Sequence, residues 1–476
     1  MKQQITKFSQ NLQKEFQKII FSINSFSKLK KTFLHTAFAL TFTSGLSYIF
    51  GFLRDKTFAY KFGAGEILDT YYSAFAVTDF VLAIFVTSSI GVAFIPIFTK
   101  LNVENSKKAS LYTRDILFWL STAVILFSIL IAIFIPFFVN FLVPGFSQDQ
   151  QQLYISFVRI MLLSSVIFSF SNVFGGVLIS TKDFFFYGIA PTFYNLGIIF
   201  GAFFLVPNIG SIGLAWGTVF GALLHALIRL VIFVQRVEVG NYFSLQISFS
   251  KEIKETIFLM MPKILQISAW QILLIWFTRL ATNLSEGSVT MYNIARNFQS
   301  MPVSLLGIAI SLSAFTSLNE LLVQKKYLSF SEMVKKKSFL ILFLTSGSAL
   351  VLAGLSFWII KFLLGGGQFG SEEVKMTALI LVTYAISIPL ESWMHLLARI
   401  NYALGNTIIP SAIHILTISI TILVSWIFVG QIGIFIIPIS FTVGLVIQDL
   451  LLLLSYKILH FRVRNKISVV FFGNTF

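Results

Sequence analysis

Residues 51–101 read GFLRDKTFAYKFGAGEILDTYYSAFAVTDFVLAIFVTSSIGVAFIPIFTKL. An apolar run ends here in a short polar turn, and a second run begins that carries acids. Hydrocarbon tolerates charge poorly. Arg54, Asp55, Asp69 and Asp79, gathered around this turn, therefore read as the working end of a membrane machine.

The remainder of the chain fits the same solvent. Of its 476 residues 56% are hydrophobic and 11% charged, with a mean hydropathy of +0.86. That is more apolar surface than a globular interior needs, so lipid surrounds most of the chain. Apolar runs recur to the end of the sequence, which a signal segment does not explain. Crossing about 30 Å of hydrocarbon takes about 20 residues. Twelve runs reach that length: 33–53, 69–98, 112–142, 152–180, 185–206, 211–235, 255–283, 287–320, 338–364, 373–401, 409–429 and 431–458. Pro191, Pro262, Pro302, Pro389, Pro410 and Pro438 fall within or beside these runs, where they are expected to kink or start helices.

A net charge of +16 raises nucleic acid as a partner, but the distribution of charge argues against it. The basic residues lie mostly between runs: in the leader, from Lys100 to Arg114, from Arg229 to Lys263, from Lys325 to Lys337, and from Lys457 to Lys466. The alternate connections (54–68, 143–151, 207–210, 284–286, 365–372 and 430) are near neutral or acidic. The positive-inside rule then puts both termini in the cytoplasm of a multi-pass inner-membrane protein. Residues 1–32 are Lys-rich, and Phe8, Leu12, Phe16, Ile19, Ile23 and Phe26 recur at helical spacing. An amphipathic helix on an anionic membrane face and a solvated tail fit that pattern equally. The absence of Cys excludes disulfides and thiolate sites, and the five His residues show no ligand spacing. No metal, cofactor or enzymatic activity is expected.

The two halves of the chain resemble each other. Gly63–Ala64–Gly65 followed by Tyr71 and Tyr72 parallels Ser285–Glu286–Gly287 followed by Tyr292, and VAFIPIFTKL (92–101) parallels SAFTSLNELL (313–322). DFFFYGIAPTFYNLGII (183–199) parallels ALGNTIIPSAIHILTIS (403–419), and SIGLAWGTVFG (211–221) parallels QIGIFIIPISF (431–441). The expected architecture is all-α and polytopic, with about twelve transmembrane helices in two pseudo-symmetric six-helix lobes around a central cavity. Its parts are a basic segment 1–32, a first lobe 33–236, a second lobe 237–460 and a short cytoplasmic tail 461–476.

These residues also resemble a known family. GFLRD (51–55), FGAG (62–65), Asp69, AFIPIF (93–98), VPGF (143–146), FGGVLIS (174–180), APTFYNLGII (190–199), GLAWG (213–217), MPVSLLGIAI (301–310) and ARINYALGNTIIP (398–410) occur in the order found in the MurJ (MviN) family of lipid II flippases. That family lies within the larger group of multidrug and oligosaccharidyl-lipid exporters. The resemblance implies alternating-access transport of lipid II, an undecaprenyl-pyrophosphate-linked muropeptide, for peptidoglycan synthesis. It also implies contact with membrane lipids and with cell-wall synthesis proteins. The sequence departs from the family's pattern at several places. Tyr48 stands where an arginine is expected, Leu82 and Ala83 replace an Arg-Arg pair, and Arg296–Asn297 replaces Asp-Arg. Phe277 occupies the acidic position of a sodium site found in some members, so no such site is expected.

A pyrophosphate cannot enter hydrocarbon, whereas guanidinium matches its oxygens and stays charged. The candidate substrate-binding set is therefore Arg54, Asp55, Asp69, Arg279, Arg296 and Asp79, with carboxylates balancing the arginines when the site is empty. The bland alternative has each arginine, Arg159 included, snorkelling to an interface or pairing with an acid to fix helix packing. Glu391 and Asp449 are the other acids inside runs, open to either coupling or packing roles. Rival readings are a flippase for another undecaprenyl-linked glycan, a related drug exporter, and a non-transporting cell-wall scaffold. No nucleotide-binding motif appears, so an ion gradient or the membrane potential is the expected driving force.

Overall fold

A computed structural model describes residues 33–236 and 247–472, with side chains described for 39–236 and 247–460. The reading of residues 1–32 lies outside the described residues. Each of the twelve runs forms one helical arm. These are α1 (Phe33–Phe62), α2 (Glu66–Glu104), α3 (Ser106–Leu142), α4 (Gln148–Ser180), α5 (Phe184–Phe200), α6 (Gly213–Arg236), α7 (Lys251–Thr282), α8 (Ser288–Val323), α9 (Tyr327–Leu363), α10 (Ser371–Ala403), α11 (Ile408–Ile432) and α12 (Ile436–Phe472).

Nine continuous helical stretches among the described residues are long and apolar enough to cross a membrane. Two of them, Phe184–Arg236 and Ile408–His460, run for 53 residues each. At 1.5 Å per residue that is about 80 Å, more than twice the hydrocarbon thickness. Each stretch folds back on itself. In the first, Gly197 meets Gly221 and Gly201 meets Gly217, an antiparallel register that brings α5 and α6 backbone to backbone. In the second, Thr417 donates to Gln448 Oε1 (3.2 Å) and Gln448 Nε2 meets His414 Nδ1 (3.1 Å), pairing α11 with α12. Both reversals turn on a glycine of positive φ, Gly210 (φ +73°) and Gly433 (φ +62°), each opening the 3₁₀ turn that leads into the second arm.

Of the prolines singled out, Pro302 and Pro389 lie at helix breaks and Pro410 and Pro438 in first turns, whereas Pro191 and Pro262 sit inside uninterrupted helices. Wider π turns interrupt α2 at Ala83–Thr87 and Ile90–Phe94, follow α5 at Gly201–Leu205, and interrupt α8 at Val303–Ile308. Pro96, Pro207 and Pro302 each sit beside one of these turns. A proline offers no N–H and its ring crowds the carbonyl four residues back, defects that the wider turns preceding Pro96 and Pro207 absorb; the turn beside Pro302 follows the proline instead. Pro389 breaks α10 into Ser371–Ala385 and Ser387–Ala403, since the carbonyl it crowds is that of Ala385.

Buried apolar side chains gather mainly within the halves, with Ile253 and Ala59 each joining the other half's group. One group runs from Phe58 to Ala215 and another from Phe94 to Ile253. A third runs from Leu273 to Leu452 and takes in Ala59 of α1. α3 and α9 lie at the periphery and expose large apolar side chains, among them Phe137 and Phe141 on α3, and Phe339 and Phe362 on α9. Such a face suits acyl chains and not water. α1 and α5 run parallel, with Gly188 against Thr43 and Lys61 donating to the Ala202 carbonyl (3.0 Å).

A Cβ at Gly217 would lie 2.7 Å from Gly201 Cα, whereas one at Gly45 would meet nothing within 4 Å. Gly217→Val is therefore expected to cost about 1–3 kcal/mol of stability through overpacking. Gly45→Val should stay within about 0.5 kcal/mol. Unfolding temperatures of the detergent-solubilised variants check the contrast, and equal losses would refute the α5–α6 contact.

Candidate functional site

The two halves enclose a cavity of about 780 Å³. α2 supplies one wall through a single helical stripe, Tyr72, Phe75, Ala76, Asp79, Leu82 and Val86, and α8 supplies the facing wall through Tyr292, Asn293, Arg296 and Asn297. Tyr72 and Tyr292 occupy matching places in the repeat, so the lining itself is pseudo-symmetric. The cavity reaches Ile179 and Tyr187, which flank the turn at Thr181–Asp183. That turn belongs to the basic end of the molecule. The lining includes no residue from the turns at 63–65, 143–147, 283–287 or 364–370, which form the opposite end.

Three charged side chains line this cavity: Arg54, Arg296 and Asp79. Arg54 Nε and Nη2 both donate to Asp55 Oδ1 (2.9 and 2.7 Å), and its Nη1 donates to Asn195 Oδ1 (3.2 Å). Three of the five guanidinium N–H groups are thereby engaged, leaving donors for an incoming anion. Arg296 Nη2 donates to Glu391 Oε1 (3.3 Å), and Glu391 Oε2 accepts from Gln299 (2.8 Å). The Arg296 guanidinium also lies over the rings of Phe441 (4.5 Å) and Trp270 (5.1 Å), which hold it by cation–π attraction.

The other expected residues lie elsewhere. Asp55 is the buried counter-ion of Arg54 and is absent from the lining. Arg279 Nε donates to the Phe141 carbonyl (2.6 Å) and its guanidinium lies over Phe141 and Trp276, away from the cavity. Arg159 is exposed and donates to the Ala132 carbonyl (3.0 Å), in keeping with the bland alternative. Asp449 is buried with neither carboxylate oxygen partnered among the described residues.

Asp69 closes the end opposite the basic one. Its Oδ2 accepts from the Gly287 N–H (2.8 Å), and its Oδ1 accepts from the Thr290 N–H (2.8 Å) and hydroxyl (2.6 Å). A carboxylate from the first half thus caps the N-terminus of α8 in the second. The reverse also holds, because Glu286 Oε1 accepts from the Glu66 N–H (3.2 Å) at the N-terminus of α2. Amides at a helix start lack intrahelical partners, and an acid placed there also meets the positive end of the helix dipole. Gly287 (φ +83°) permits the approach, since a Cβ there would lie 2.5 Å from the Ala64 carbonyl oxygen. Gln368 N–H donates to the Tyr60 carbonyl (3.0 Å) and Lys56 Nζ to the Gly365 carbonyl (2.6 Å), docking the GGGQF turn onto α1.

A family model described as lipid II flippase MurJ matches residues 58–471. The chain belongs to that family. A lipid II flippase MurJ from Burkholderia cenocepacia is 27% identical over 422 residues, covering 87% of this chain and 81% of that one. A solved lipid II flippase MurJ in an inward closed conformation superposes with a TM-score of 0.73 at 21% identity, covering 93% of each chain. A multidrug resistance MATE family transporter of the MOP superfamily, in an inward-facing conformation, gives 0.74 at 14% identity, with 88% of this chain and 95% of that one covered. The fold is thus the transporter fold shared by MurJ and MATE proteins.

Sequence reading missed Glu286, Thr290 and Asn195 as partners of the charged groups. The repeat carried a signal for the first: Glu66 and Glu286 stand 220 positions apart, and helix starts related by symmetry across an interface can cap each other. Bonds to a charged acceptor are each worth about 1.5–3 kcal/mol, so Asp69→Ala is expected to open this end. In a chain without Cys, a cysteine placed at Ala64 should react with maleimide faster in the Asp69→Ala background. An unchanged rate would show that Asp69 does not hold the end shut.

Proposed function

We propose that this protein carries lipid II across the bacterial cytoplasmic membrane by alternating access, as the name of its family describes. The basic end faces the cytoplasm, where both termini lie, and the end closed by Asp69 and Glu286 faces outside. The single observation that carries the reading is a closed-ended cavity between the halves with Arg54 and Arg296 on its wall. Its volume falls in the range of about 300–1,000 Å³ typical of ligand sites. Residues 33–236 and 237–460 act as the two lobes, rocking about the cavity so that the caps at α2 and α8 form in one state and part in the other. Residues 1–32 and 461–476 flank these lobes on the cytoplasmic side.

Within this scheme Arg54 and Arg296 bind the pyrophosphate. Each is held in place by an acid in the empty state, and an arriving diphosphate takes over the donors left open and shares those now given to Asp55 and Glu391. Moving the charged head through a protein chamber avoids the hydrocarbon, while the prenyl chain stays in lipid. No bond is made or broken, so the protein works as a transporter and not as an enzyme. The two arginines favour a phosphate-bearing cargo over the cationic or apolar cargo of a drug exporter.

Arg54→Glu and Arg296→Glu should each abolish rescue of a strain depleted of its own lipid II flippase, with membrane levels of the protein unchanged. Arg279→Gln, outside the cavity, should retain at least about half of the rescue, since substitutions away from a site perturb little. Growth equal to wild type in both charge-reversal strains would eliminate the proposed site.

A further inference from the structure

The cavity carries one charge that nothing balances. Arg54 is paired with Asp55 and Arg296 with Glu391, so the two cationic positions are already compensated by the protein itself. Asp79, the third charged residue of the lining, has no hydrogen bond or ion pair among the described residues. It is exposed, and since it belongs to the lining, that exposure is to the chamber. The other acids near the cavity all have donors. Asp55 has Arg54, Glu391 has Arg296 and Gln299, and Asp69 has Gly287 and Thr290.

Its depth matters as much as its freedom. The phenol of Tyr72 lies within electrostatic reach of Arg54, whereas Asp79 follows Tyr72 on the same stripe of α2, seven residues on toward the basic end. At 1.5 Å per residue that places the carboxylate about 10 Å deeper along the helix. The chamber therefore has the Arg54 guanidinium near its closed end and a carboxylate level below it, with Arg296 on the facing helix between the two. Beside Arg296 the lining offers the amides of Asn293, Asn297 and Gln271 and the rings of Tyr194 and Phe168.

From this arrangement we infer that Asp79 is a specificity residue that receives an ammonium group on the head of the cargo, while Arg54 and Arg296 receive its phosphates. The cargo class is then narrower than a prenyl-linked diphosphate: its head group is zwitterionic, with a primary amine set off from the diphosphate by roughly the two turns of helix that separate the two levels. An unpaired carboxylate in a chamber of low dielectric gains most from a cation that arrives with its own donors, and a neutral head would leave it desolvated without return. A glycan diphosphate lacking an amine is disfavoured for that reason, not for want of contacts elsewhere. The inference rests on the transport reading above and adds the amine to it.

The test uses the full chain in lipid nanodiscs and two probes: lipid II with a lysine in its stem peptide, and the same molecule acetylated on the lysine side chain. Wild-type protein is expected to bind the free amine about tenfold more tightly, a difference typical of one charge-assisted contact. Asp79→Asn should bring the ratio of the two affinities close to one, and Asp79→Glu should restore most of it. If wild-type protein binds both probes equally, the inference is overturned and lipid II transport stands. If neither probe binds, both readings fall together. A ratio that persists in Asp79→Asn assigns the amine to another group and likewise overturns the inference. Should Asp79→Asn fail to fold, the wild-type ratio and its retention in Asp79→Glu still decide between these outcomes.

Discussion

An amide at the start of a helix has no partner within that helix, and inside a membrane protein there is little water to supply one. α2 and α8 both begin at the interface between the two halves, and each has its first turn satisfied by an acid from the other half. That exchange holds the halves together at one end, and a cavity between them runs toward the basic end. The close fit of Gly287 on Ala64 and the docked turn at Gly365–Gln368 extend the same seam across α1.

A seam made of hydrogen bonds to backbone amides suits a gate. Asp69 is buried and finds its donors only when the other half is in register, whereas Glu286 makes its bond at the exposed rim of the seam. A hydrophobic seam of similar size would slide, whereas directional bonds of this kind have a made state and a broken one. The π turns within α2 and α8 lie further along the same helices, and they match in position between the halves. A wider turn leaves carbonyls less firmly bonded, so both helices can bend where the lobes would have to move.

Charge in the chamber obeys the same need for compensation. The two arginines are tolerable in an empty membrane cavity because Asp55 and Glu391 neutralise them, and Arg296 gains further from the rings of Phe441 and Trp270. Each guanidinium still keeps N–H groups to offer, so compensation does not silence them. Asp79 stands outside this scheme, which is why it says more about the cargo than about the fold.

The sequence by itself determined the solvent, the number of helical arms and their alternation, because hydrophobic runs of about 20 residues have few ways to exist outside a bilayer. The internal repeat and the family motifs were legible for the same reason: both are written in consecutive residues. It also supplied Arg54, Arg296 and Asp79 as charges to be explained. Only the tertiary structure decided that Arg279 turns to the Phe141 carbonyl, that Asp69 caps a helix instead of lining the chamber, and that Glu286 returns the favour. Those outcomes depend on which face of one helix meets which end of another, some 220 residues away. Charge type can be read locally, but the partner of a charge is a property of packing.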